Sequence, residues 1–365
     1  MIKRKSILNP LIIVLLPISI LLNYFSSNFP ETVETLYSKG LYKPIGQGLS
    51  LITGFFPFSV AEIIVVGIPV LIILYLLFIV KKMFPFEVNK IKLIPRGFLN
   101  ILILISLIYT LFVFVWGLNY HRQPFAVIAG LETKPASTQE LASLCEHLII
   151  RVNELRSIVE EDRSGVMYIK DGVSGVLKRA AKGYDNASNT IPELGGKYGK
   201  PKGVFFSESM CYTGISGIYF PFTAEANVNI AIPYSMLPST TCHEMAHQRG
   251  FAREDEANYI SYLVCNIHPD IDFKYSGTLL ALLHSMNALY RYDSEKYQEL
   301  QAMYSDGLKS DLNYLRKFWE KYEGPVEKTS TRINNAYLKS NLQEDGIYSY
   351  GRMVDLLLAE YRAIK

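Results

Sequence analysis

The spacing of apolar positions changes near residue 120. Three long apolar runs come first, about Ser6 to Phe25, Ser59 to Val80 and Gly97 to Leu118, none with a charge in its middle. Each is close to the ~20 residues that a helix needs to cross hydrocarbon. Ser59-Val60-Ala61-Glu62 reads as a capping box that starts the second. Beyond residue 120 the apolar residues recur at helical spacing, with polar positions between them. Ser137-Thr138-Gln139-Glu140 is another capping box, and Leu141, Leu144, Leu148, Val152 and Leu155 continue it toward Glu160. A second helix is expected from Gly172 to Ala187. Between Ile191 and Pro233, Gly, Pro, Tyr and Phe dominate, which predicts loops and short strands. There Glu225-Ala226-Asn227-Val228-Asn229-Ile230 alternates strictly, putting Glu225, Asn227 and Asn229 on one face. Farther on, Leu300, Tyr304, Leu308, Leu312, Leu315, Trp319 and Tyr322 predict one long amphipathic helix, and Ile347 to Ile364 another. The expected fold is mainly α: a membrane domain over 1–120 with three transmembrane helices, then an α+β domain over 121–365 with a small β element.

Cations set the orientation, because short loops rich in Lys and Arg stay in the cytoplasm. Lys3, Arg4 and Lys5 precede the first run, and Lys81, Lys82, Lys90, Lys92 and Arg96 fill the connection between the second and third. The longer connection before the second run holds only Lys39 and Lys43. This makes a multi-pass protein of the cell membrane, with the N-terminus in the cytoplasm and the domain after Leu118 outside it. The first run has the basic start of a signal peptide, but no small-residue cleavage site follows around Asn23 to Phe29, so it reads as a retained anchor. A net charge of +3 over 365 residues, much of it flanking the membrane, gives no basic stripe for nucleic acid. The cysteines, Cys145, Cys211, Cys242 and Cys265, form no C-x-x-C pair, which argues against a cysteine zinc site.

Chemistry concentrates in His243-Glu244-Met245-Ala246-His247. Residues four apart share a helix face, so both imidazoles can hold one Zn²⁺ ion while Glu244 reaches a water on it. Leu237-Pro238-Ser239-Thr240 can start such a helix, and Gly250 can end it. Arg249 is expected to project to solvent from the last turn. A catalytic zinc needs a third protein ligand and an open position. The run His247-Gln248-Arg249-Gly250 resembles a metzincin, but that family's third histidine would fall at Arg253, which cannot bind the ion. Glu254-Asp255-Glu256-Ala257-Asn258 looks like the later helix of a gluzincin. In that scheme Glu254 is the third ligand and Asn258 holds the outer nitrogen of a ligating histidine. Glu256 is the alternative ligand, and His268 a weaker one.

These residues imply a zincin-like, membrane-anchored metallopeptidase in which Glu244 is the general base. Its partners would be the lipid bilayer and a peptide or protein substrate in the extracytoplasmic space. Glu225, Asn227 and Asn229 mark either an edge strand that pairs with an extended substrate or an ordinary solvated face. His284, Tyr290, Tyr348 and Tyr350 are candidates to stabilise an oxyanion. The competing reading is a non-catalytic, zinc-stabilised domain that binds an envelope or cell-wall ligand. An intramembrane protease is disfavoured, since Arg249, Arg253, Glu254, Asp255 and Glu256 flank the motif.

The whole chain resembles an uncharacterised bacterial membrane-protein family, domain of unknown function three thousand eight hundred and ten. The residues that carry the resemblance are Pro57-Phe58-Ser59, Phe220-Pro221-Phe222-Thr223 with Glu225 to Asn229, the run His243 to Asn258, and Tyr337-Leu338-Lys339-Ser340-Asn341 with Ser349-Tyr350-Gly351. The resemblance implies a zincin-like membrane protein and assigns no substrate.

Overall fold

The computed structural model describes residues 10–83, 93–341 and 352–364. Lys3, Arg4, Lys5, Lys90, Lys92, Tyr348, Tyr350, the start of the first apolar run and the run Ser349 to Gly351 lie outside the described residues.

The chain is mainly helical, with few strands. Two helices, Val60–Met83 and Leu93–Val115, contain stretches long and apolar enough to cross a membrane, Val60–Phe78 and Phe98–Val115. The first apolar run differs from the sequence expectation. It forms Leu11–Ser26, then bends by 108° into Pro30–Gly54, and makes a third span only if the bent pair is counted as one. Leu15–Ser26 packs on Leu93–Val115. Ser19 Oγ donates to Thr110 Oγ1 at 3.0 Å, and Ser106 Oγ to the Ile12 carbonyl at 2.7 Å. Such bonds hold apolar helices together where burial of apolar surface gives little drive.

The rest is a helical layer over a small sheet. Thr138–Arg156, Glu254–Asn266 and Leu237–Gln248 pack around the central Ile271–Tyr292. The core there includes Leu148, Ile149, Val152, Ile260, Val264, Tyr275 and Leu282. The Ser137 capping box is formed in both directions, Glu140 N–H to Ser137 Oγ at 3.1 Å and Ser137 N–H to Glu140 Oε2 at 3.2 Å. Two predicted helices are each divided. Gly172 to Ala187 is Gly172–Arg179 followed by Ala181–Ala187. Leu300 to Tyr322 is broken between Ser294–Gln301 and Asp306–Glu320, because Ser305 Oγ accepts the Leu308 N–H at 3.3 Å and caps a new helix. Both pieces face one core, so the apolar spacing runs on across the break. The last helix is Met353–Ile364, and the beginning of its predicted range lies outside the described residues.

The sheet corrects the substrate-strand expectation. It contains β1 (Lys202–Gly203), β2 (Gly217–Phe220) and β3 (Glu225–Val228) in the order β1-β3-β2, with β3 parallel to β1 and antiparallel to β2. β3 is therefore the middle strand, paired on both sides and buried along its length. Its polar residues serve the fold. Glu225 accepts Lys202 Nζ at 2.6 Å and the backbone N–H groups of Val60 and Ala61 at 3.1 and 2.7 Å. Asn227 Oδ1 accepts Ser59 Oγ at 2.6 Å, and Asn229 Nδ2 donates to the Ile215 carbonyl at 3.0 Å. A buried carboxylate thus caps the positive end of the apolar helix Val60–Met83 and fixes that helix to the sheet. Ser59 Oγ also accepts the Glu62 N–H at 2.9 Å. The Glu62 carboxylate, however, reaches across to the Phe205 and Phe206 N–H groups at 2.9 and 2.7 Å rather than closing a box.

Candidate active site

The helix Leu237–Gln248 starts with Pro238 in its first turn and has no side-chain cap. It ends where Gly250 takes φ +86°, with Gly250 N–H to the His247 carbonyl at 2.8 Å and Phe251 N–H to Ala246 at 3.3 Å. A β-carbon at Gly250 would lie 2.8 Å from Tyr42 Cε1, so the turn also needs glycine for space. The reversal brings Glu254, first residue of Glu254–Asn266, back over the histidines. His243 Nε2 and His247 Nε2 are 3.0 Å apart, and they lie 3.1 and 3.5 Å from Glu254 Oε2. Among the described residues these three form the one His/Cys/Asp/Glu group able to share a metal ion.

The donor set fits zinc. Ligand bonds of ~2.0–2.1 Å at tetrahedral angles separate ligand atoms by about 3.3–3.4 Å, which the three spacings straddle. His247 Nδ1 lies 2.7 Å from the Phe251 carbonyl. A carbonyl only accepts, so Nδ1 carries the hydrogen and Nε2 of the neutral ring faces Glu254 with its lone pair. This role was expected of Asn258, which instead makes no hydrogen bond to either histidine. Burial opposes protonation of His247, but the Glu254 carboxylate overrides it and raises the pKa to about 9. Burial likewise opposes ionisation of Glu254, and the two imidazoles hold its carboxyl well below the usual carboxylate range. An ion entering at pH 7.5 must displace the His247 proton, so zinc binding is expected to release about one proton. Calorimetry in buffers of different ionisation enthalpy checks this; binding without proton release would contradict the assigned pairing.

Glu244 is buried beside this cluster, and its Oε2 has no hydrogen-bond partner among the described residues. Burial raises its pKa to about 7, against the pull of His243 and His247 and of the Tyr219 N–H that it accepts. A carboxylate so placed can take and return a proton near neutral pH. Gly217 of β2 lies against it, and a β-carbon there would come 2.6 Å from Glu244 Cγ. Gly217→Ala is therefore expected to displace the carboxylate and slow any reaction that uses it by about a hundredfold, with zinc content unchanged. Turnover and metal analysis on one preparation check this; wild-type turnover would show that Gly217 does not position Glu244.

The cluster opens into a cavity of about 690 Å³ that His243, Glu244, His247, Glu254 and Asn258 all line. One wall is β2, through Gly217, Ile218 and Tyr219, the strand at the sheet edge nearest the metal residues. Other walls come from residues that local sequence patterns did not mark. Trp116 stands edge-on to His247 with ring centroids 6.0 Å apart, and Tyr120 donates to the Tyr337 hydroxyl at 3.1 Å. Tyr337 lies in one of the family-like runs, and Trp116 and Tyr120 follow an apolar span, where interface aromatics concentrate. Asn258 is buried with its Nδ2 unpartnered among the described residues, a donor available to a bound molecule. Of the expected oxyanion candidates, His284 lines the cavity, and burial followed by the nearby His243 lowers its pKa to about 4, so it is neutral at pH 7. Tyr290 is exposed and does not line the cavity.

Three further expectations are corrected. Glu256 points away from the cluster, and its Oε1 accepts the Phe125 N–H at 2.8 Å and Arg253 Nη1 at 3.1 Å. His268 is stacked on Phe273 and hydrogen-bonded to the Arg179 carbonyl, so it belongs to the core. Arg249 is buried, with its guanidinium 3.6 Å from the Tyr184 ring centroid and Nε donating to the Leu194 carbonyl at 2.6 Å. Ring faces and carbonyls stabilise that cation in place of water. All four cysteines are buried free thiols.

The segment after the bend holds the motif helix from behind. Tyr42 Oη donates to the Gln248 carbonyl at 3.1 Å and meets Tyr219 Oη at 2.9 Å, and Gln248 Nε2 donates to Ser50 Oγ at 2.9 Å. Comparison with curated proteins and with solved structures returned no match. A family model described as "Protein of unknown function (DUF3810)" matches residues 37–358, which takes in most of the segment after the bend, both apolar helices, the sheet and the whole His-His-Glu cluster. The chain belongs to this family.

Proposed function

We propose that this protein is a membrane-anchored, zinc-dependent metallopeptidase with a zincin-like domain that hydrolyses a peptide or amide bond outside the cytoplasm. The observation that carries this reading is the unpartnered Glu244 Oε2 beside a three-donor cluster in an open cavity. A structural zinc site is closed by four protein ligands and needs no base. Three donors and a poised carboxylate favour catalysis over the zinc-stabilised binding domain. In the same reading the bent first run counts as a span, and the N-terminus is cytoplasmic.

His243, His247 and Glu254 would hold the ion. When bound, zinc lowers the pKa of water toward ~7 and polarises a substrate carbonyl. Glu244 Oε2 would accept the proton of the attacking water and pass it to the leaving nitrogen. The Tyr219 N–H and the close approach of Gly217 hold that carboxylate in one position. Asn258 Nδ2, the neutral His284 ring and the Tyr337 hydroxyl are donors within the cavity for the developing oxyanion. β2 offers its open edge for an extended substrate chain, the part first read into β3.

The test compares extracytoplasmic proteins from cells carrying wild type or Glu244→Gln. Fragments present with wild type and absent with the variant support the peptidase. Identical fragment profiles, with zinc bound in both proteins, would remove it.

A further inference from the structure

We infer that the substrates are polypeptides anchored in the same membrane as this protein, cut within a few residues of their anchors. This rests on the peptidase reading and adds the substrate class.

Three observations fix the height of the cavity. The apolar stretch Phe98–Val115 ends one residue before Trp116, and Trp116 lines the cavity 6.0 Å from the His247 ring. No linker separates hydrocarbon from site on that side. The other apolar stretch begins at Val60, whose N–H is held by Glu225 of β3, the direct neighbour of the cavity strand β2. Both helices thus meet the domain with the ends that close against the site.

The third observation concerns exposed aromatics. Phe55, Phe56 and Phe58 precede the Val60 helix and are exposed, Phe55 by 86%. Phe205 and Phe206 lie outside every apolar run, yet they are exposed as well, Phe205 by 84%, and Glu62 pins their backbone to the first turn of that helix. Five such rings around the start of a spanning helix suit the headgroup layer and would be costly in open water. Because two of them belong to the domain itself, the domain sits at the interface rather than above it on a stalk.

A cavity at that height is served best by chains that begin at the same height. An extended chain covers ~3.4 Å per residue, so a bond reaching the cluster from an anchor lies within about five residues of it. Tethering also raises the effective concentration of such a segment, whereas a soluble protein must first bring a chain to the bilayer.

The test uses the full-length, zinc-loaded chain in phosphatidylcholine vesicles. A randomised peptide pool is offered free in solution, joined directly to a palmitoyl anchor, or joined through a Gly/Ser linker of about thirty residues, which lifts it by roughly 30 Å. The two anchored pools share one surface concentration and differ only in height. The directly anchored pool is expected to be cut at least about tenfold faster than the other two, with new ends within about five residues of the anchor. Equal cutting of the two anchored pools, or cuts spread evenly along the lifted one, overturns the inference and leaves the peptidase standing. No Glu244-dependent cutting of any pool removes the peptidase reading and this inference with it.

Discussion

Glu244→Gln is expected to slow peptide hydrolysis by about 10²–10⁴-fold while the protein folds and keeps its zinc. The amide has nearly the shape of the carboxylate and can still accept the Tyr219 N–H, so the packing of the site changes little. What it loses is basicity. Burial lifts the Glu244 pKa to about 7 in the metal-free site and bound zinc pulls it back down, so activity should rise as pH climbs through a region at or below neutral. The variant should lose the contribution of Glu244 to that limb and keep only that of the zinc-bound water. Turnover against pH, with zinc measured on the same samples, checks both parts. A variant with wild-type turnover would take the role of base away from Glu244.

The second large effect separates two acidic residues one helical half-turn apart. Glu254→Ala is expected to weaken zinc binding by well over about a hundredfold, since even residues that only support a ligand cost 10–100-fold. Glu256→Ala should leave zinc binding intact and cost stability instead. Its carboxylate holds the Phe125 N–H and Arg253, and hydrogen bonds to a charged group contribute roughly 1.5–3 kcal/mol. Zinc titration and thermal unfolding of the two variants in detergent give opposite patterns. The reverse result would move the third ligand to Glu256 and disagree with the 3.1 and 3.5 Å contacts of Glu254.

The parts of this fold that local rules govern were legible in the sequence. Four-residue spacing put His243 and His247 on one face, Gly250 ended their helix, and the acidic run supplied Glu254. Capping at Ser137 likewise depends only on near neighbours. What escaped was docking between distant segments. The alternation of Glu225, Asn227 and Asn229 is the same whether that face meets water, a substrate or buried partners. Only the arrival of Ser59, Val60 and Lys202 on it decides the matter. Tyr42 reaching Gln248, and Trp116 standing beside His247, depend on how the bent segment and the apolar helices fold back, which no local period encodes. Arg249 was misplaced for the same reason, because its shelter comes from Tyr184 and Leu194, far along the chain. β2, four residues long and led by a glycine, is too short to announce itself by pattern.

The nature of the metal site is most directly read by X-ray absorption at the zinc edge of the purified full-length chain. Two imidazole nitrogens and oxygen ligands at ~2.0–2.2 Å are predicted, with one oxygen displaced when a small inhibitor such as a hydroxamate is added. Sulfur at ~2.3 Å, or a shell of four protein ligands that the inhibitor leaves unchanged, would contradict an open catalytic site at His243, His247 and Glu254.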